Sequence, residues 1–453
     1  MSHTIAAIST GNVVSAIGII RLTGDGCADI AGKVFTLNNN KPLCEAPERK
    51  LVLGQLHDKA GRVIDSCCAI FSRGPHSYTG EDTVEFHCHG SPAVLAAGLE
   101  ALYCAGALPA KRGEFTKRAF LNGKLDLTQA EAVIDLIEAD SAEAAANAAG
   151  QVEGVLQKKL APIYSELTDL CSHFHAVLDY PDEDIEDFGL GNYYDALRAN
   201  AKTLYTLLQT YGQGRIMKSG VAAAIVGKPN VGKSSLLNAL AGYDRVIVTD
   251  IPGTTRDTVE ELVKVGGVKL RLIDTAGIRE TDDTVEAIGV ERSRKAVENA
   301  DMVIFVCDGS QPLTEEDEAI IDLCCDRENA VALINKRDLG QVVEPGDLPF
   351  MNVVEICAES GEGLDLFADV VETLFEGELP CDGSILTNAR QADAIRRAYE
   401  SMLSALQGLK LGLTPDAVLI DVEAAMEAMG EVTGNTVRED ITARIFERFC
   451  VGK

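Results

Sequence analysis

The sequence predicts a multidomain α/β plus α protein: an α+β N-terminal domain, a discontinuous helical domain, and a P-loop α/β domain inserted between the two helical parts. Three observations carry this prediction. Residues 221–226, Val-Ala-Ala-Ala-Ile-Val, form an apolar run suited to a buried parallel strand, followed by a glycine-rich turn and by Leu236, Leu237 and Leu240 at helical spacing. Before residue 119, short strand patterns alternate with turns, and amphipathic helix patterns stand on both sides of the P-loop part, from Leu127 and again from Ala389. The expected domains are 1–119, 120–215 (helical, first part), 216–377 (P-loop domain) and 378–453 (helical, second part).

In the first domain the predicted strands are Ala16 to Leu22, Leu51 to Leu53, Cys68 to Phe71 and Thr83 to Cys88, with helices over Cys27 to Phe35 and Pro92 to Ala105. Along Thr83 to His89, Val84, Phe86 and Cys88 face one way and Glu85, His87 and His89 the other, so one face is core and one polar. Two histidines on one face raise a metal site. A hydrogen-bonded polar face is favoured over it, since no third ligand stands at recognisable spacing. Next, Ala130, Val133, Ile134, Ile137 and Ala139 form an apolar stripe, the run Ala142 to Ala149 is rich in the best helix former, and further helices are expected over Ile163 to Leu178 and Tyr193 to Tyr211. The acidic run after Tyr180 reads as a solvated helix exit, and Gly212-Gln213-Gly214 as the lead into the P-loop strand. Beyond the linker at 377–383, helices are expected over Ala389 to Leu409, Pro415 to Ala428 and Val437 to Phe449.

Gly227-Lys228-Pro229-Asn230-Val231-Gly232-Lys233-Ser234-Ser235 matches G-x-x-x-x-G-K-[ST] in full. Its glycines let backbone N–H groups turn toward phosphate, Lys233 reaches the β and γ oxygens, and the Ser234 hydroxyl suits Mg²⁺. Asp274-Thr275-Ala276-Gly277 follows the strand pattern Val268 to Ile273, which puts Asp274 where α/β sheets bind ligands; it is the candidate second-shell metal acid, and Gly277 leaves room for a γ-phosphate. Asn335-Lys336-Arg337-Asp338 follows Val331 to Ile334 and specifies guanine, because a carboxylate accepts from the base's N1–H and 2-amino group together while adenine offers no such pair. Cys357-Ala358-Glu359, after Val353 to Ile356, supplies a candidate last backbone contact to the base. Thr249-Asp250-Ile251-Pro252-Gly253-Thr254-Thr255-Arg256-Asp257 offers Thr255 as a second Mg²⁺ ligand; Arg256 beside Asp257 reads more simply as a local ion pair than as an arginine finger. Four motifs in order on four strands predict a Ras-like P-loop GTPase. The position where such enzymes carry a water-orienting glutamine is Ile278, which cannot hydrogen-bond, so another group must position the nucleophile.

At 453 residues the chain has room for two or three domains, and 46% hydrophobic content with a mean hydropathy of +0.05 fits a folded globular protein. No apolar stretch of spanning length and no signal-like start occur, so the expected location is cytoplasmic, with no membrane partner. Thirteen cysteines without a C-x-x-C predict reduced thiols rather than a disulfide or zinc framework. A formal net charge of −29 opposes a free-standing nucleic-acid binder; if RNA is the substrate, a partner grips most of it.

Gly80-Glu81-Asp82, His89-Gly90, Gly113-Glu114-Phe115, Arg118 to Asn122, Lys124 to Leu127, Gln129 to Ala132, the P-loop and guanine motifs, Asp274 to Glu280 and the end Cys450-Val451-Gly452-Lys453 together resemble the MnmE (TrmE) family of tRNA-modification GTPases over essentially the whole chain. The ribosome-assembly GTPases Era and Der share the P-loop but lack this front end and tail. The resemblance implies a folate-binding N-terminal domain that dimerises, a discontinuous helical domain and an inserted GTPase domain that binds GTP, Mg²⁺ and K⁺. It implies K⁺ held by Asn230, Thr249, Ile251 and Thr254, where a monovalent cation does electrostatically what an arginine finger does, and a water-orienting Glu286, which by itself reads as a surface acid.

Arg21, Glu85, Lys124 and Lys453 match the family's positions for a 5-formyl- or methylene-tetrahydrofolate, and Cys450 matches its tail cysteine, a catalytic candidate whose plain alternative is a buried thiol. The partners implied are a second copy, the FAD-containing protein MnmG in a heterotetramer, and tRNA, for modification at position 5 of the wobble uridine. Two departures stand out: Ser9 to Ser15 replaces a P-G-x-G-G segment, and Cys357 replaces the usual serine of the guanine loop. The competing readings are a ribosome-assembly GTPase and a GTP-switched scaffold. Folate binding separates the first reading from both.

Overall fold

The computed structural model describes residues 3–11, 13–39, 41–179, 190–243, 261–273, 294, 296–298, 300–375, 382–434, 445–447 and 449–452. These fall into two units, Met1–Gln209 with Pro380–Lys453, and Thr210–Leu379.

The first unit begins with β1 (Ile5–Ile8), β2 (Ser15–Thr23), α1 (Cys27–Val34), β3 (Phe35–Leu37), β4 (Val52–His57), β5 (Val63–Ser72), β6 (Thr83–Gly90), α2 (Pro92–Ala105), β7 (Leu108–Pro109) and α3 (Glu114–Leu121). The strands form one sheet in the order β3-β4-β5-β6-β2-β1-β7. All pairs are antiparallel except β1 with β7. Ile20 and Leu22 of β2, Val84, Phe86 and Cys88 of β6 and Ala69 and Phe71 of β5 point to one face. There they meet Cys27 and Ala31 of α1 and Leu95, Ala101 and Leu102 of α2 in a closed core. Period-two alternation therefore leaves Arg21, Glu85 and His87 on the other face, half-buried. Near Arg21 that face is covered by α3, whose Phe115 packs on Ile5, Ala7 and Ala110. Sequence periodicity finds the central strands but misses β1, β3 and β7, which are too short to show alternation.

The helices that follow are α4 (Leu127–Glu138), α5 (Ala142–Val152), α6 (Val155–Asp179) and α7 (Leu190–Gln209). Asp126 caps α4 with a reciprocal Asp126/Gln129 box, which fixes where it starts. Helix α6 begins eight residues before the predicted Ile163 and runs through Pro162. Leu156, Leu160, Ile163, Leu167 and Leu170 form one buried stripe across the proline, and their burial outweighs the missing backbone bond.

The second unit comprises α8 (Tyr211–Ser219), β8 (Val221–Val226), α9 (Lys233–Tyr243), β9 (Glu261–Val265), β10 (Val268–Ile273), β11 (Met302–Asp308), α10 (Glu315–Cys324), β12 (Ala330–Asn335), β13 (Asn352–Glu355) and α11 (Leu364–Phe375). Its sheet runs β13-β12-β11-β8-β10-β9, parallel apart from the β9–β10 hairpin. Strands β8 and β12 are buried throughout, which explains why they read as unbroken apolar runs. The sequence pattern does not single out strands β9 and β11. Gly212 and Gly214, expected to lead from the preceding helix into the P-loop strand, lie inside α8. That helix is tied down by paired hydrogen bonds from Arg215 to Asp301, whose carboxylate also accepts from the Ala222 N–H.

The chain then returns to the first unit in α12 (Ala389–Leu411) and α13 (Pro415–Thr433), which pack on each other and on α7 and α6. Buried Asn147 accepts from the Gly383 and Ile385 N–H groups at 3.1 and 3.3 Å, and Gln151 donates to the Ile385 carbonyl at 2.6 Å. Arg390 and Gln391 both donate to Glu131, 5% exposed, at 2.7–2.9 Å. Two buried polar clusters thus join residues some 240 positions or more apart in sequence, and stranding any of these partners would leave a buried polar group unsatisfied.

Candidate nucleotide site and polar cleft

The P-loop joins β8 to α9 and is held by steric fit and by the side chains of Lys233 and Asn335. Gly227 (φ 149°) and Gly232 (φ 101°) have no room for a Cβ: one would lie 2.2 Å from the Val306 carbonyl oxygen, the other 2.2 Å from Asn335 Nδ2. Asn230 is left-handed at φ 63°, an allowed but uncommon conformation for asparagine. Lys233 Nζ donates to the carbonyls of Gly227 at 2.5 Å and Lys228 at 2.6 Å, and its burial lowers its pKa to about 8. Val231 is buried, while Ser234 and Ser235 are exposed at the start of α9, where helix N–H groups and dipole favour anions.

Asn335, 2% exposed at the end of β12, joins the motifs. Its Nδ2 donates to the Val231 carbonyl at 2.8 Å and its Oδ1 accepts from the Ala358 N–H at 2.9 Å. One side chain therefore registers the P-loop, the N-K-x-D turn and the Cys357 loop against each other. The Ala358 amide serves this tie within the loop. Lys336, left-handed at φ 66°, pairs with Asp308 at 2.6 Å. Burial opposes the charge on Asp308, but bonds from Lys336 and Ser310 prevail and hold its carboxyl below the usual range. Arg337 lies near Glu355 and Glu362, Asp338 is exposed, and buried Cys357 directs its thiol at Asp338 Oδ1, 3.2 Å away. Glu359 is exposed. Thr249, Asp250, Ile251, Pro252, Gly253, Thr254, Thr255, Arg256, Asp274, Thr275, Ala276, Gly277, Ile278, Glu286 and Lys453 lie outside the described residues.

In the first unit Arg21 Nε donates to Glu85 Oε1 at 2.6 Å, and the guanidinium lies over the rings of Tyr78 and Phe115 at 5.5 and 5.7 Å. Burial pushes the Tyr78 phenol up, partly offset by its bond with Thr116 and by Arg21. His87, two residues along β6 on the same face, lies 3.6 Å from Glu85. Lys124 is exposed, and its methylenes lie against Gly80, on the loop that carries Tyr78. His89 is tied to Asp65 through its backbone N–H and Nδ1, at 2.8 and 2.7 Å.

The C-terminal segment docks on this domain. Val451 forms a bridge with Arg112, whose Nε donates to the Phe449 carbonyl at 2.8 Å; the Gly113 N–H donates to the Cys450 carbonyl at 3.3 Å. Ser9 Oγ donates to the Gly452 carbonyl at 3.0 Å, and Gly452 (φ 99°) approaches Ile8 so closely that a Cβ would lie 2.3 Å from its carbonyl. The atypical Ser9–Ser15 segment thus begins with a residue that holds the tail. Cys450 is exposed, so the buried-thiol alternative for it is incorrect here. Sequence reasoning missed the direct Arg21–Glu85 pair, the bridging role of Asn335 and a Lys228–Asp317 pair at 2.6 Å, because each joins residues far apart in the chain.

Comparison with known proteins matches residues 127–450 to the family model "MnmE helical domain" and residues 4–124 to "GTP-binding protein TrmE N-terminus". The tRNA modification GTPase MnmE of Clostridioides difficile (strain 630) is 41% identical over 462 residues, covering 100% of each chain. That of Streptococcus thermophilus (strain CNRZ 1066) is 40% identical, covering 99% of this chain and 98% of its own. A solved structure of Era with MgGDPNP and a segment of 16S ribosomal RNA aligns with 40% of this chain and 66% of its own, at 29% identity and a TM-score of 0.26.

Proposed function

The chain belongs to the MnmE family of tRNA modification GTPases, and from that premise we propose that it hydrolyses GTP to drive modification at C5 of the wobble uridine in tRNA. The observation that carries the nucleotide half is the double tie of Asn335 to Val231 and Ala358, which joins the phosphate loop to the guanine loops. In this reading Asn230 to Ser235 cradle the phosphates, and Lys233 leaves its carbonyl partners for the β and γ oxygens. Asp338 accepts from guanine, with Lys336, Arg337 and Cys357 to Glu359 around the base. Ser234 and Thr255 hold Mg²⁺, with Asp274 behind them. Asn230, Thr249, Ile251 and Thr254 hold K⁺. Asp250, Pro252, Gly253, Thr275, Ala276 and Gly277 complete the loops around the γ-phosphate, and Glu286 orients water. The two cations supply positive charge where the phosphates gain negative charge as the bond breaks.

The folate half places a 5-formyl- or methylene-tetrahydrofolate in the cleft at Arg21, Glu85 and Lys124, with Lys453 and Cys450 arriving on the docked tail. The donor set fits: a carboxylate accepts from the pterin's paired N–H groups, basic side chains meet the glutamate tail, and the rings of Tyr78 and Phe115 already frame Arg21. In this reading the chain works as a homodimer through its N-terminal domain. A net charge of −29 supports handing most of the tRNA grip to a partner, in this reading MnmG with its FAD. No helix among the described residues is long and apolar enough to cross a membrane.

Calorimetric titration with a reduced folate, alongside GTP turnover of the same sample, tests the whole reading. Turnover without folate binding returns the chain to a GTPase of another task. In Glu286→Ala, a loss of turnover with GTP affinity kept supports water positioning, and lost affinity refutes it.

A further inference from the structure

The phosphate loop carries two lysines, and the structure separates their tasks. Lys228 Nζ lies 2.6 Å from Asp317 Oδ2 and donates to Thr314 Oγ1 at 2.9 Å. Asp317 is the third residue of α10 and is 2% exposed. The same carboxylate oxygen accepts from the Thr314 N–H at 2.9 Å and from its hydroxyl at 3.0 Å, so it caps the helix and binds the lysine at once. Its other oxygen is buried and has no hydrogen-bond partner among the described residues. A carboxylate so placed depends on Lys228 for compensation of its charge. The Lys228 backbone carbonyl, meanwhile, is one of the two acceptors that hold Lys233.

We infer that Lys228 is a positioning residue for the GTPase reaction: anchored through Asp317 to the start of α10, it fixes the first half of the phosphate loop and contributes no charge to the phosphates. Three attachments then define the loop. Gly227 packs on the Val306 carbonyl, Lys228 is tied to Asp317, and Val231 is tied to Asn335. Lys233 is left as the cation that moves to the nucleotide. This inference rests on the GTPase reading above and concerns only the second unit, within which all these residues lie.

A double-mutant cycle decides between anchor and phosphate ligand. Nucleotide dissociation is measured with a fluorescent GDP analogue on the full chain carrying Lys228→Met, Asp317→Asn, both, or Lys228→Arg. An anchor predicts that each single substitution speeds release by about tenfold and that the double variant is no worse than either single one, because each removes the same link. Lys228→Arg should restore release to within about threefold of the parent, since a guanidinium also pairs with a carboxylate. The KM for GTP should rise in step with release and fall back in Lys228→Arg, a pattern that general destabilisation would not produce. Loss with Lys228→Met but none with Asp317→Asn would make Lys228 a phosphate ligand and overturn the inference. Unchanged release in every variant would overturn it too, and would be distinct from failure of the GTPase reading, in which no variant and no parent would bind GDP. Should Lys228→Met not fold, Asp317→Asn, which keeps a capping oxygen, and Lys228→Arg still carry the comparison.

Discussion

Cys357 Sγ lies 3.2 Å from Asp338 Oδ1, so the thiol that stands where a serine is usual points at the carboxylate assigned to guanine. A thiol is a weaker donor than a hydroxyl. It still fixes which way an otherwise exposed carboxylate turns. Cys357→Ala should weaken GDP binding about fivefold, the worth of roughly one hydrogen bond. Cys357→Ser should bind as well as the parent or better. Titration with fluorescent GDP reads both, and an equal loss in the serine variant would assign the effect to packing of a residue only 3% exposed.

Lys233 gives a pH prediction with a definite sign. Burial lowers its pKa to about 8 in the nucleotide-free protein, against roughly 10.4 for an unperturbed lysine. Between those values the unfolded chain binds more protons than the folded one, so this group's contribution to stability rises with pH through the window and is most unfavourable below it. Lys233→Met should therefore stabilise the nucleotide-free GTPase unit against urea near pH 7 by an amount on the order of 1 kcal/mol, while abolishing GTP binding. The gain should shrink as pH approaches 10. A destabilised methionine variant at pH 7 would mean that the two carbonyl bonds outweigh the burial.

Asn230, held left-handed in the phosphate loop, bears on the cation. GTP turnover should fall markedly when K⁺ is replaced by Na⁺ at equal ionic strength, and Asn230→Ala should erase the difference between the two salts. Equal rates of the parent in both would refute a K⁺ site.

The parts legible in sequence are those set by local chemistry. Strands β8 and β12 announce themselves because both faces are buried, and α2 because Pro92 opens it and left-handed Gly106 closes it. The phosphate and guanine motifs are legible because their backbone geometry demands particular residues at fixed spacing. What stayed hidden depends on partners distant in the chain. Nothing local to Glu131 foretells Arg390, nothing local to Val231 foretells Asn335, and Pro162 reads as a helix start until the leucine stripe on both sides of it is buried. In the cleft, alternation placed Glu85 on a polar face, but that Arg21 pairs with it follows only from the β2–β6 register, in which the two are directly opposite.

The tail is the remaining case of that kind, and its test follows from the contacts. Chain ends ordinarily fray and tolerate change. Here the carbonyls of Phe449, Cys450 and Gly452 accept from Arg112, the Gly113 N–H and Ser9 respectively, and Gly452 fits against Ile8 only because it lacks a Cβ. Gly452→Val should therefore displace the last residues, since the added carbons meet backbone and φ 99° strains any branched side chain. If Lys453 serves the folate cleft, Gly452→Val and deletion of Gly452 and Lys453 should both weaken folate binding and tRNA modification while GDP affinity stays unchanged, because the nucleotide site belongs to the other unit. Ser9→Ala removes one hydrogen bond and should cost folate affinity only a few-fold, roughly 1 kcal/mol. Calorimetry with a reduced folate on these three variants orders the effects. Undiminished folate affinity in the deletion would leave the docked tail as a purely structural clasp on the N-terminal domain.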